Sequence, residues 1–218
     1  MQAEKAALRK AMRTTLRSLP LEAVRSASEK ASARAAALIG PAAVCCVYLA
    51  MPKGEADTMP LLDTLFARGN QVFIPRVEGA TRHDMRMLRV ADASELAAYP
   101  RSKWNIPEPT DVQAASMEDG LASASIDVVI VPAVAFDRRC LRLGQGKGFY
   151  DTWLAKLAET RRDRGLSPAR TIGLGLTEQL VDQVPVDAHD VPLDFVCSPE
   201  QTLSRRESED AKDALLAK

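Results

Sequence analysis

Histidine, cysteine and aromatic residues are scarce in this 218-residue chain, and each scarcity excludes a class of function. The only two histidines, His83 and His189, do not stand at zinc-ligand spacing from any of the four cysteines, and there is no C-x-x-C, so the common zinc sites are excluded. Cys45 and Cys46 lie inside an apolar run and read as small core residues in a reducing compartment. With 5% aromatics the chain lacks the stacking platform of a single-stranded nucleic-acid binder. The 29 basic and 29 acidic residues cancel, so no whole-chain field holds a nucleic acid or an acidic membrane, and any anion site must be local. No apolar run approaches the roughly 20 residues needed to cross a bilayer, and the N-terminus lacks the apolar core of a secretory signal. A cytoplasmic protein is expected. Residues 1–19, basic, Ala-rich and amphipathic, also fit a mitochondrial presequence, in which Glu4 would be unusual.

What is present suits one globular unit. At 46% hydrophobic and 27% charged the composition is ordinary for a folded protein, and the length fits one domain, expected over residues 1–200, with a polar tail from 201 to 218. Leu8, Met12, Leu16 and Leu19 recur at helical spacing from Lys5 to Leu19, and a second helix is expected from Leu21 to Ile39, stopping at Gly40-Pro41. Ala43–Leu49, Gln71–Pro75, Ile126–Pro132 and Thr171–Leu176 are short continuous apolar runs, which read as buried strands. Helical patterns separate them at Asp57–Arg68 and Gly148–Arg164, and a loose helix is expected at Asp111–Ser125. Strands alternating with helices imply an α/β, three-layer, Rossmann-like fold with a largely parallel central sheet flanked by helices.

Chemistry concentrates between Phe136 and Asp151, FDRRCLRLGQGKGFYD, where a strand gives way to a helix. Gly144, Gly146 and Gly148 let backbone N–H groups approach an anion, and the helix start adds partial positive charge. Arg142 and Lys147 bracket the loop, and Asp151 is the kind of oxygen ligand magnesium takes beside phosphates. The segment is neither a Walker A motif nor the G-x-G-x-x-G fingerprint, so composition alone leaves a phosphate cradle and a bland flexible loop both open.

Other candidates are weaker alone. Lys5, Arg9, Arg13 and Arg17 form a stripe at every fourth position, either a solvated basic face or a surface for an anion. Glu55 sits after the first expected strand, at the sheet end where ligands bind, or else simply opens a helix. Trp104, between prolines in WNIPEP, either stacks on a flat ring or plugs the core, with core packing the expectation from residue type. Asp190 is a second candidate metal ligand, and His189 a candidate base or a surface histidine.

Taken in order, Lys5-x-x-Leu8-Arg9, Glu55-Ala-Asp-Thr58, Trp104-Asn-Ile-Pro107, the strand and turn from Val131 to Asp137, the loop from Arg142 to Asp151 and His189 to Asp194 resemble the 5-formyltetrahydrofolate cyclo-ligase family. The resemblance reaches to about Glu200 and rests most on the glycine loop. It implies ATP- and Mg2+-dependent closure of the small molecule 5-formyltetrahydrofolate to 5,10-methenyltetrahydrofolate by a monomer, with no nucleic-acid or membrane partner. By the same resemblance Lys5, Arg9, Arg142, Leu143, Gly144, Gln145, Gly146, Lys147, Gly148, Phe149 and Tyr150 would hold ATP, with Lys147 and Arg142 catalytic. Ala50, Glu55, Trp104, Gln145 and Phe149 would meet the folate, and Asp151 and Asp190 the metal. Cys140 stands where the family more often has Gly, and Gln145 where it often has Tyr or Arg. The rival readings are a divergent ATP-binding paralogue without cyclisation and a non-catalytic folate- or nucleotide-binding module.

Overall fold

A computed structural model describes residues 1–187 and 190–208. Helices α1 (Gln2–Ser18) and α2 (Leu21–Ala37) open the chain, separated by Pro20, whose extended backbone breaks the helical path. Strand β1 (Val44–Val47) leads to α3 (Met59–Ala67), which carries Pro60 in its first turn, where no amide hydrogen is needed. A hairpin of β2 (Gln71–Val77) and β3 (Met85–Val90) follows, then the short helices α4 (Ala93–Ala98), α5 (Asp111–Ser116) and α6 (Gly120–Ser123). Strand β4 (Val128–Val131), the small hairpin β5 (Ala135–Phe136) and β6 (Arg142–Leu143), and helix α7 (Phe149–Asp163) come next. Strands β7 (Arg170–Leu174), β8 (Phe195–Cys197) and β9 (Thr202–Ser204) complete the order.

Seven strands form one sheet in the order β3-β2-β1-β4-β7-β8-β9. The five inner strands are parallel; β3 and β9 pair antiparallel at the edges. The apolar runs are continuous because both faces are covered. Cys45, Val47, Ile130 and Ile172 pack with residues of α1, α2 and α3, whereas Cys46, Val129 and Val131 pack with Trp153 and Leu157 of α7. The expected three-layer architecture is what forms. Successive connections leave β1 toward β2 on one side and come from β4 on the other, so the carboxyl ends of β1 and β4 flank a topological switch point, where open α/β sheets bind ligands.

Three expectations need correction. The helix expected over Asp111–Ser125 is broken at Met117: Arg89 donates to the Glu118 carbonyl (3.0 Å) and Asp119 bridges to Leu88, so pairing with the sheet overrides helical propensity. The sheet also continues past residue 200, where the polar composition suggested only a tail, because β9 pairs with β8. Finally, Trp104 does not plug the core: it is 46% exposed, with Lys103 Nζ 4.4 Å from its ring centroid.

Candidate active site

The loop between β4 and α7 is shaped by a buried anchor. Asp137, fully buried, accepts from the backbone amides of Arg139 (2.9 Å), Leu141 (3.2 Å) and Val184 (3.1 Å) and from the Arg139 guanidinium (2.7 Å). Its turn holds Cys140 at φ +60, the left-handed region that favours glycine. The chain returns through β6 and reaches Gly146 and Gly148, at φ +96 and +72, before α7 begins. Gly148 is the N-cap of a 15-residue helix, so free N–H groups and the positive end of the helix dipole face this loop.

Helix α1 supplies the other wall. Arg9 Nε donates to the Gly144 carbonyl (2.9 Å), and Arg13 Nη2 donates to the Gln145 carbonyl (3.1 Å) and to its side-chain oxygen (2.8 Å). Lys5 is buried, 6% exposed, and pairs with Asp187 (2.9 Å) and with Asp190. Three of the four cations in the stripe therefore bond to protein; the solvated-face reading fails for Lys5, which is buried, and Arg9, which is half-buried, whereas Arg13 makes its bonds at an exposed position. Burial pulls the Lys5 ammonium down, but hydrogen bonds and charges from Asp190 and Asp187 more than offset it, so its pKa is raised. Asp190 responds in the opposite sense: burial pushes it up, and Lys5, the Asp187 amide and Arg142 bring it below the usual carboxylate range.

Arg142 pairs with Asp151 on the first turn of α7. Lys147 is exposed and enters no hydrogen bond or ion pair among the described residues. Arg82, from the turn between β2 and β3, was not singled out by the sequence; a methyl group on Gly148 would meet its side chain at 3.8 Å. It too has no polar partner among the described residues. Lys147 and Arg82, from separate segments, thus leave positive charge uncompensated at one helix N-terminus, an arrangement that suits a polyanion.

Beside this cradle lies a cavity of about 470 Å³, lined by Ala50, Glu55, Leu96, Asn105 and Pro107 among others. Its volume is in the range of small-molecule sites. Glu55 is buried, held by the Met51 amide (3.0 Å), with Gln145 beside it. Burial raises its pKa; the Met51 N–H and the Gln145 amide offset part of the rise. The loop carrying Glu55 is fixed by Thr58, which donates to the Tyr48 carbonyl (2.7 Å), and by Tyr48, which donates to that of Ala56 (3.0 Å). Gln145 thus joins the two halves: its oxygen is taken by Arg13, and its amide faces Glu55. Tyr150 presents a buried hydroxyl without a hydrogen-bond partner among the described residues, close enough to Glu55 and Arg142 to feel both charges. Phe149 packs against the apolar cluster under α7 rather than lining the cavity, and Leu143 is buried in β6, so its contribution to the loop is backbone. Trp104 precedes the lining residue Asn105 in the chain but does not itself line the cavity, and its side chain is exposed. His189 lies outside the described residues.

The residues also fit magnesium. Among the described residues no three His, Cys, Asp or Glu side chains converge as a cage. Asp151 pairs with Arg142, and the same Arg142 charge acts on Asp190, so two carboxylates share one neighbourhood. Magnesium takes such a donor set where phosphate oxygens and waters complete its shell.

Comparison with known proteins bears on the family and the fold. The model of the 5-formyltetrahydrofolate cyclo-ligase family matches residues 1–199. The mouse (Mus musculus) 5-formyltetrahydrofolate cyclo-ligase is 33% identical over 150 residues, covering 69% of this chain and 70% of that protein. The Escherichia coli K12 enzyme of the same name is 32% identical over 146 residues, covering 67% and 72%. The solved structure of Aquifex aeolicus 5,10-methenyltetrahydrofolate synthetase superposes with a TM-score of 0.71 at 26% identity, covering 93% of each chain. The chain belongs to the 5-formyltetrahydrofolate cyclo-ligase family.

Proposed function

We propose that this protein converts 5-formyltetrahydrofolate and ATP to 5,10-methenyltetrahydrofolate, ADP and phosphate at the junction of the glycine loop and the Glu55 cavity. The observation that carries this reading is the adjacency of the two: Gln145, held by Arg13 in the cation-lined loop, is near enough to the buried Glu55 carboxylate of the cavity to favour its charged form.

The chemistry explains why the two must adjoin. A formamide is a weak electrophile because its nitrogen lone pair is delocalised into the carbonyl. The formyl oxygen takes the γ-phosphoryl group, and ADP leaves. N10 then attacks the activated carbon and loses its proton, the C–O bond breaks, and phosphate departs with the oxygen to leave the methenyl bridge. The protein contributes position and charge rather than a covalent nucleophile. Lys147, Arg82, Arg142 and the N–H groups at the start of α7 face the charge on the phosphoryl oxygens. Arg9 and Arg13 hold the loop backbone in shape through the Gly144 and Gln145 carbonyls. Glu55 orients the polar edge of the pterin, Ala50 gives room, and Trp104 closes over a flat ring. Magnesium, held by Asp151 and Asp190, would neutralise charge on the phosphate oxygens.

A single domain that runs on through β9, acting as a cytoplasmic monomer, completes the proposal. Among the described residues no helix is long and apolar enough to cross a membrane. The test is appearance of the methenyl product's absorbance band on mixing protein, 5-formyltetrahydrofolate, magnesium and ATP, with each omitted in turn. A band that needs all four supports the reading; folded protein that binds ATP and forms no product would sink it.

A further inference from the structure

The reaction leaves one buried carboxylate without a role. Asp137 is fully buried in the turn between β5 and β6, and its two oxygens face different parts of the chain. Oδ1 accepts from the amides of Arg139 (2.9 Å) and Leu141 (3.2 Å), closing the turn that delivers β6 and the glycine loop. Oδ2 accepts from the Arg139 guanidinium (2.7 Å) and from the Val184 amide (3.1 Å), on the segment that leads to Asp187 and Asp190. Backbone bonds tie the ends of that segment to the same turn: Val181 donates to the Phe136 carbonyl (2.8 Å) and Leu193 to that of Cys140 (2.8 Å). Asp137 grips it between those ends, next to the stretch where Lys5 pairs with Asp187 and Asp190. Helix α1 also bridges loop and segment, through Arg9 and Lys5, but by long side chains with many rotamers. The short carboxylate at zero exposure is the stiffer link, because a buried amide that lost it would go unsatisfied.

We propose that Asp137 is a positioning residue that holds the glycine loop and the Asp190 segment at one fixed spacing, so that nucleotide phosphate and magnesium are bound together. The inference rests on the cyclo-ligase reading and adds a supporting element to it. Asp151 rides on α7 after the loop and Asp190 on the other segment, so metal binding depends on their separation, whereas phosphate binding on the loop alone does not. Groups that orient metal ligands from behind are worth about 10–100-fold in metal affinity.

The experiment is calorimetric titration with ATP, in EDTA and in excess magnesium. Wild type should bind ATP more tightly with the metal. Asp137→Asn keeps one oxygen and puts an amide donor where the other stood, so the turn and the Val184 amide can no longer both be held. Its ATP affinity in EDTA should stay within about threefold of wild type, while the gain from magnesium falls about tenfold. Val184→Pro deletes the amide donor, leaves the carboxylate on its turn, and should lose the gain in the same way. Arg139→Ala is the control: it strips the countercharge from Asp137 and lowers Tm, yet leaves both amide arms, so the gain should persist. A folded Asp137→Asn or Val184→Pro that keeps the wild-type gain, or that weakens equally in EDTA, would overturn the positioning role. So would an Arg139→Ala that loses the gain as fully, or a wild-type ATP affinity indifferent to magnesium. Wild-type protein that binds no ATP under either condition would overturn the parent reading and this role together.

Discussion

The two lysines of the site make opposite predictions for the same substitution. Lys147 is exposed and without a polar partner among the described residues, so Lys147→Ala removes no folded-state contact. Its effect on stability should stay within about 0.5 kcal/mol, or about 2 °C in Tm for a chain of this size. If it meets the transferring phosphoryl group, kcat should fall by about 10²–10³-fold. Lys5 is 6% exposed and neutralises Asp187 and Asp190. Breaking a fully buried pair costs about 3–5 kcal/mol. The acid side chains are 39% and 30% exposed, so solvent screening reduces this to about 1–3 kcal/mol. Lys5→Ala should therefore lower Tm by about 3–10 °C. The assays are thermal unfolding by circular dichroism and methenyl formation under saturating ATP. The reasoning fails if Lys147→Ala keeps near-wild-type turnover, or if its Tm falls as far as that of Lys5→Ala.

The Lys5–Asp190 pair also sets a pH signature. Asp190 is lowered, so its contribution is present above the unfolded value of about 3.9 and is lost as pH falls through its lower folded value; Lys5 is raised, so its contribution is present below about 10.4 and is lost as pH rises through its folded value. The Tm gap between wild type and Lys5→Met should be flat from about pH 5 to pH 10 and narrow outside that window, and a gap that closes near neutrality would contradict the pairing. Gly146→Ala places a side chain at φ +96, where its Cβ would make ordinary contact with the Arg9 guanidinium at 3.5 Å; backbone strain of about 1–3 kcal/mol in the loop should weaken ATP binding several-fold by calorimetry. Trp104→Ala removes a ring that is 46% exposed, so Tm should change by less than about 3 °C while KM for the folate rises about tenfold; unchanged KM would take Trp104 out of the site.

The residues that face each other across the site come from opposite ends of the chain, which sets the limit on what sequence alone could determined. Four apolar runs and their alternation with helices were enough for the parallel sheet, because continuous Val, Ile and Cys runs are stable only where both faces are covered. The glycine loop was legible because its chemistry is local: three glycines, two cations and a helix start lie within a dozen residues. The basic stripe was legible as a stripe but not as a wall, since nothing at helical spacing tells whether Arg9 and Arg13 meet water or the carbonyls of Gly144 and Gln145. Trp104 was misjudged from residue type, because exposure depends on what the neighbouring loop covers. Arg82 had no local signal; only the turn between β2 and β3 brings it to Gly148. Local pattern thus determined most of the main elements and marked out the loop that is proposed to bind phosphate. The tertiary structure alone decided that a lysine of the first helix neutralises aspartates more than 180 residues away, because electrostatic pairing acts through distance in space and carries no period along the chain.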